Sequence, residues 1–223
     1  RILRDLTQQL AGFSPVLNQY FMLACEFDFI RAKALFAIDI NGHYPVVKDK
    51  AHIGLIDAYH PLLFLYNARA GKTTTALSLT LDAGKRILVI SGPNAGGKTV
   101  TLKTVGLLQI MLQAGLLVSA SPQSEFGIFK QLFIHIGDEQ NLEFELSTYS
   151  SHLTNMKYFI ENANGKTLFF IDELGSGSDP NLGGAFAEVI MEELAFKHSF
   201  GIVTTHYLNL KVMAGRVKGI ING

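Results

Sequence analysis

With 223 residues, 48% of them hydrophobic and 17% charged, the chain is sized for one large α/β unit or one domain with an appendage, and is too apolar for intrinsic disorder. Nineteen Lys and Arg offset 19 Asp and Glu, so no global positive field draws the chain to phosphate backbones, and any nucleic-acid partner must be held locally or elsewhere. The single cysteine, Cys25, excludes a disulfide framework and a cysteine-based metal site, and no run reaches the roughly 18 uncharged apolar residues of a membrane span. A cytoplasmic protein with no membrane partner is expected. Arg1 to Gln9 lacks a signal-peptide pattern, and a start in mid-helix with a stop on Gly223 reads as a piece of something longer.

Residues 1 to about 40 are rich in Leu, Phe, Ala, Gln and Arg at helical spacing, broken only by Gly12-Phe13-Ser14-Pro15. Ser14 as N-cap with Pro15 at the first helical position predicts a second helix running to about Phe36. From Asn41 to Leu81 the pattern turns to short β-type runs, Ile53 to Ile56 and Thr73 to Leu81, between loops holding Gly42, Pro45, His60-Pro61 and Gly71. Thereafter apolar strands at Arg86 to Ile90, Gln131 to Ile136, Thr167 to Ile171 and Phe200 to Val203 alternate with helical stretches near 98 to 114, 148 to 162, 182 to 197 and 207 to 214. Continuous apolar strands imply burial on both faces. The expected class is therefore α/β, a mostly parallel sheet with helices on each side. The division is a helical segment over residues 1–40 and an α/β domain over 41–223.

Gly92-Pro93-Asn94-Ala95-Gly96-Gly97-Lys98-Thr99 fits G-x-x-x-x-G-K-[ST], follows the strand Ile87 to Ile90 and opens a helix. Its glycines let backbone N–H groups turn inward as an anion nest, Lys98 reaches the β/γ-phosphates and the Thr99 hydroxyl suits Mg²⁺. Ala70-Gly71-Lys72-Thr73-Thr74 imitates the end of that motif, but Tyr66 stands where the first Gly belongs and no apolar strand leads in, so it reads as a solvated loop. Leu168 to Glu173 is a buried strand ending in two acids. Alone this is a common acidic exit from a strand; paired with the phosphate loop, Asp172 is expected to face the phosphate crevice and hold the Mg²⁺ shell, and Glu173 to polarise the attacking water. Gly175-Ser176-Gly177-Ser178-Asp179-Pro180, Thr204-Thr205-His206, and Gln140 with Leu146 to His152 gain meaning only in company. Taken singly they are a polar loop, a strand-terminal histidine and a Ser/Thr helix cap. His43, His52, His60, His135, His152 and His198 have no metal-ligand spacing.

In order, GPNAGGKT at 92 to 99, FIHIGDEQNLEFELSTYSSHLTN at 133 to 155, DELGSGSDP at 172 to 180 and TTHY at 204 to 207 make the chain resemble the ATPase core of the MutS family over nearly its whole length. Gly137-Asp138-Glu139-Gln140, the run Gly96 to Lys103 and Asp28 to Ala34 look like the second bacterial branch, the paralogues tied to recombination suppression and ribosome quality control. Ala95 and Thr99 depart from the Met and Ser usual in mismatch-repair members. The resemblance implies a P-loop ATPase head of ABC type that dimerises around ATP, preceded by the base of a helical core or lever. It also implies that Gly92, Pro93, Asn94, Ala95, Gly96, Gly97, Lys98, Thr99 and Val100 cradle nucleotide, that Thr99 and Asp172 hold Mg²⁺, that Glu173 activates water and that His206 senses the γ-phosphate. Ser147 would reach the γ-phosphate bound by the facing subunit of a homodimer. DNA or a ribosome would be gripped by a clamp outside this segment, as would any C-terminal nuclease-like domain.

Three readings compete. The first is this ATP-hydrolysing switch, with the ATPase domain of a mismatch-repair member as its less favoured form. A P-loop kinase would need a basic lid, yet no arginine lies between Arg86 and Arg216. The presence of both Asp172 and Glu173 argues against the alternative, a nucleotide-gated dimerisation module without hydrolysis, and multiple-turnover phosphate release separates the two. The strand from Thr73 to Leu81 is the expected neighbourhood of the adenine base.

Overall fold

The computed structural model describes residues 2–92, 96–136, 145–175 and 180–223. Two helices open the chain, α1 (Ile2–Ala11) and α2 (Ser14–Asp39). The turn between them is short: the Phe13 amide donates to Leu10 and the Phe13 carbonyl accepts from Leu17. Ser14 is therefore inside the helix rather than its cap, Phe13 takes the cap position without a side-chain bond, and Pro15 still falls in the first turn, where its missing N–H costs nothing. The helix also runs past Phe36 to Asp39, and Ile40 just beyond it is fully buried in the core.

Strands β1 (Val46–Lys48), β2 (Ile53–Ala58), β3 (Leu77–Leu81) and β5 (Glu125–Gly127) form a mixed sheet in the order β1-β5-β2-β3. Helix α3 (Pro61–Arg69) interrupts the region expected to be strand and loop. His60 caps it, its Nδ1 accepting from the Leu63 amide at 3.4 Å, and Pro61 holds the first helical position. β3 is shorter than expected. Thr73 to Thr75 lie outside it, following the exposed, left-handed Gly71 in the loop after α3.

The second sheet is entirely parallel. Strands β4 (Ile87–Ser91), β6 (Gln131–His135), β7 (Thr167–Ile171), β8 (Phe200–Thr205) and β9 (Ile220–Asn222) lie in the order β6-β7-β8-β4-β9. Helices α4 (Lys98–Gln113), α5 (Glu145–Asn162), α6 (Pro180–Phe196) and α7 (Leu208–Met213) connect them. Side chains alternate along each strand, so two cores form. Leu88, Leu168, Phe170 and Ile202 pack with Leu102, Val105 and Leu108 of α4 and with Ile53, Leu55 and Phe126 of the mixed sheet. Ile87, Val89, Phe169, Ile171 and Val203 pack with Met156 and Phe159 of α5, Ile190 and Leu194 of α6, and Leu210 of α7. Every residue of β7 and β8 is buried, as continuous apolar strands require.

Among the described residues, no helix is long and apolar enough to cross a membrane.

Candidate functional site

Parallel strands end on the same side of a sheet, and here that side gathers the polar residues. β8 lies between β4 and β7, with Thr204 opposite Ile90, Thr205 opposite Ser91, and Val203 opposite Ile171. The chain leaves β4 through Gly92, leaves β7 through Asp172 and Glu173, and leaves β8 through His206. Three chain-distant segments thus meet at the carboxyl edge, where ligands bind in open α/β sheets.

At the first segment, Gly92 has φ 149° and Gly97 φ 80°, conformations that a side chain disfavours. Neither glycine has a neighbour within 4 Å of a would-be Cβ, so backbone shape and not crowding calls for glycine there. Gly97 caps α4 with no side-chain hydrogen bond, which leaves the first turn of the helix without a side-chain acceptor from its cap. Lys98 is buried at 4% exposure and its Nζ donates to the carbonyl of Gly92. Gly96 and Val100 are exposed. Pro93, Asn94 and Ala95 lie outside the described residues.

The second segment comes to the first through Asp172. Its carboxylate is 5% exposed, and Oδ1 accepts from the Thr99 hydroxyl at 3.2 Å and from the Thr204 hydroxyl. The Asp172 amide donates to the carbonyl of His135, which ties the end of β7 to the end of β6. Glu173 has φ 51°, a left-handed conformation that costs a non-glycine residue about 1–2 kcal/mol and is held here by its neighbours. The Glu173 amide donates to the Thr204 hydroxyl at 2.8 Å and the Leu174 amide to the Thr204 carbonyl at 3.0 Å. Gly175 closes the turn at φ 89°, where a Cβ would lie 2.7 Å from the Tyr207 ring. Tyr207 in turn donates its hydroxyl to the Gly175 carbonyl at 2.9 Å.

The Glu173 carboxylate and the His206 imidazole both sit at the half-exposed rim, Oε1 to Nε2 3.9 Å. Ser147 lies in the first turn of α5; its side chain, the run Gly137 to Phe144 with Gln140, and Ser176 to Asp179 lie outside the described residues. Behind the site, His135 stacks edge-on against His152 of α5, ring centroids 4.0 Å apart, with Asn155 Nδ2 3.3 Å from His135 Nδ1. Burial, then the neighbouring His135, hold the His152 imidazole down at about 4, and burial lowers His135 as well.

Lys98, Thr99, Asp172, Glu173 and His206 are thus brought to one edge. Residue patterns did not reveal the hydroxyl of Thr204 between the two acids, or the two histidines behind them. Thr204-Thr205-His206 and TTHY at 204 to 207 stand out in the sequence, but they give the role to the histidine and none to the Thr204 hydroxyl.

Residues 88–222 match MutS domain V. Over its full length the chain is 41% identical to a protein of Carboxydothermus hydrogenoformans and 44% identical to one of Clostridium novyi, each named endonuclease MutS2 and each covered over 28% of its own length. A protein of the same name from Leuconostoc mesenteroides is 40% identical across 95% of the chain and 26% of the relative. The chain therefore spans under a third of these relatives.

Proposed function

Since this chain belongs to the MutS family, and to the branch of its MutS2 relatives, we propose that residues 41–223 are a P-loop ATPase head of ABC type and residues 1–40 the base of a helical lever. The observation that carries the reading is the contact at 3.2 Å between Thr99, which opens α4, and Asp172, which follows β7. A hydroxyl and a carboxylate at a helix N-terminus are oxygen donors of the kind a hard divalent cation takes. Mg²⁺ held by Thr99 and Asp172 would neutralise charge on the phosphates of bound ATP.

The other roles follow from position. Backbone N–H groups of Gly92 to Thr99 and the Lys98 ammonium bind the β- and γ-phosphates, with Val100 in the same helical turn. Glu173 orients water on the γ-phosphorus and accepts its proton as the new P–O bond forms and ADP leaves. His206, across from Glu173 at the rim, contacts the γ-phosphate. With no arginine between Arg86 and Arg216 to stabilise the transferred group in cis, the far side of the triphosphate is closed by Ser147 and the α5 N-terminus of a second copy. The chain works as a nucleotide-driven switch in a cytoplasmic homodimer. The DNA or ribosome it serves, and the endonuclease in the relatives' name, belong to parts of a longer chain.

Multiple-turnover phosphate release tests this. Lys98→Ala should weaken ATP binding, whereas Glu173→Gln should bind ATP as the parent does and turn over slower by on the order of 10² or more. Glu173→Gln releasing phosphate at the parent rate would refute the role of Glu173. A parent that binds ATP but releases no phosphate would favour the nucleotide-gated dimerisation module.

A further inference from the structure

Thr204 is fully buried at the end of β8, after Ile202 and Val203, where an apolar residue would cost nothing to enclose. A buried hydroxyl must be satisfied, and it has one proton to give and lone pairs to receive. The Glu173 amide occupies the receiving side at 2.8 Å, so the proton is turned to Asp172 Oδ1. The same residue's carbonyl receives the Leu174 amide. Three consecutive residues beyond β7 therefore hang on this one threonine. One of them is the left-handed Glu173, whose main chain needs outside support to keep its φ of 51°.

We propose that Thr204 is a positioning residue for ATP hydrolysis: its hydroxyl fixes the Asp172 carboxylate and the Glu173 turn together, so the metal ligand and the water-activating group keep a set spacing. This rests on the roles assigned above to Asp172 and Glu173. The hydroxyl is buried, with the Glu173 amide and Asp172 Oδ1 as its partners. It acts by denying the carboxylate and the turn their other orientations. Thr99 shares Asp172 Oδ1 at 3.2 Å, and its hydroxyl would keep a lone pair for the cation while its proton stays on the carboxylate.

Thr204→Val keeps the shape and removes the hydroxyl, Thr204→Ser keeps the hydroxyl, and Thr204→Cys offers a weaker donor. In the full 223-residue chain, Thr204→Val should lower kcat by about 10- to 100-fold, the range for losing a group that orients a metal ligand. It should also raise the Mg²⁺ concentration for half-maximal nucleotide binding about 10-fold, while KM for Mg-ATP at saturating Mg²⁺ stays within about 3-fold. Thr204→Ser should stay within about 3-fold of the parent in both, and Thr204→Cys should fall between. A Val variant with parental kcat and Mg²⁺ requirement overturns the inference, as does a Ser variant as slow as the Val one. If the Val chain does not fold, the Ser and Cys chains decide it by the same order. A parent that hydrolyses nothing would end the hydrolytic reading alone, because the Mg²⁺ requirement still reads the hold of Thr204 on Asp172.

Discussion

Helix α2 and the parallel sheet are both rich in apolar residues, yet every residue of β7 and β8 is buried while only Ala37 of the 26 residues of α2 is. The difference lies in what surrounds each. β7 has a strand on either side, α4 on one face and α5 and α6 on the other. On α2, Tyr20, Phe21, Phe27 and Ile30 are at least 60% exposed. Apolar content alone does not make a core; a core needs an element to face it. The sheet finds its partners within this chain, whereas most of α2 has none among the described residues.

The largest effect that would sharpen this contrast comes from truncating one aromatic in each region. Phe170, 1% exposed and against Gly106 of α4, should cost about 3–5 kcal/mol as Phe170→Ala. Phe21, 66% exposed, should change stability by less than about 0.5 kcal/mol as Phe21→Ala. Urea denaturation of the two chains reads the comparison. Equal losses would break it, because α2 would then be packed in solution.

A smaller effect probes the seam between β6 and α5. His152 is neutral in both folded and unfolded chains above its ordinary value of 6.5, so its contribution is whole there. As pH falls toward about 4 the unfolded chain takes up a proton that the folded one refuses, and stability is lost. Because the ring is only partly enclosed, solvent screening trims the loss to about 1 kcal/mol. Urea midpoints at pH 7 and pH 4.5 should converge for the parent and His152→Gln as the pH falls, the parent losing more. Parallel losses would mean that the imidazole titrates as it does in solvent.

What was legible in the residues follows the same division. Thr167–Ile171 emerges at its exact bounds because five enclosed positions leave an unbroken apolar run. β8 runs on through Thr204 and Thr205, and no local rule distinguishes a buried threonine with two partners from a solvated one. The three-residue strands β1, β5 and β9 are too short to show alternation, and the nine-residue α3 hid behind its Pro61, which reads equally as a turn. Motifs named Lys98, Thr99, Asp172, Glu173 and His206, but the order β6-β7-β8-β4-β9, which sets β8 between the strand leading to Gly92 and the strand leading to the acids, is a matter of pairing across the chain. So is the left-handed backbone of Glu173, whose amide donates to the Thr204 hydroxyl from the neighbouring strand.

The central claim is that the ATP site is complete only across two copies, and mixing two inactive chains tests it most directly. Lys98→Ala removes the lysine proposed to bind phosphate, and Ser147→Arg blocks the α5 N-terminus proposed to face the partner. In a mixed two-fold dimer one site carries both defects and the other neither, so hydrolysis should return to on the order of a quarter of the parent rate per chain. Mixed dimers that form and stay inactive would show that Ser147 serves its own copy or none, and would contradict the account.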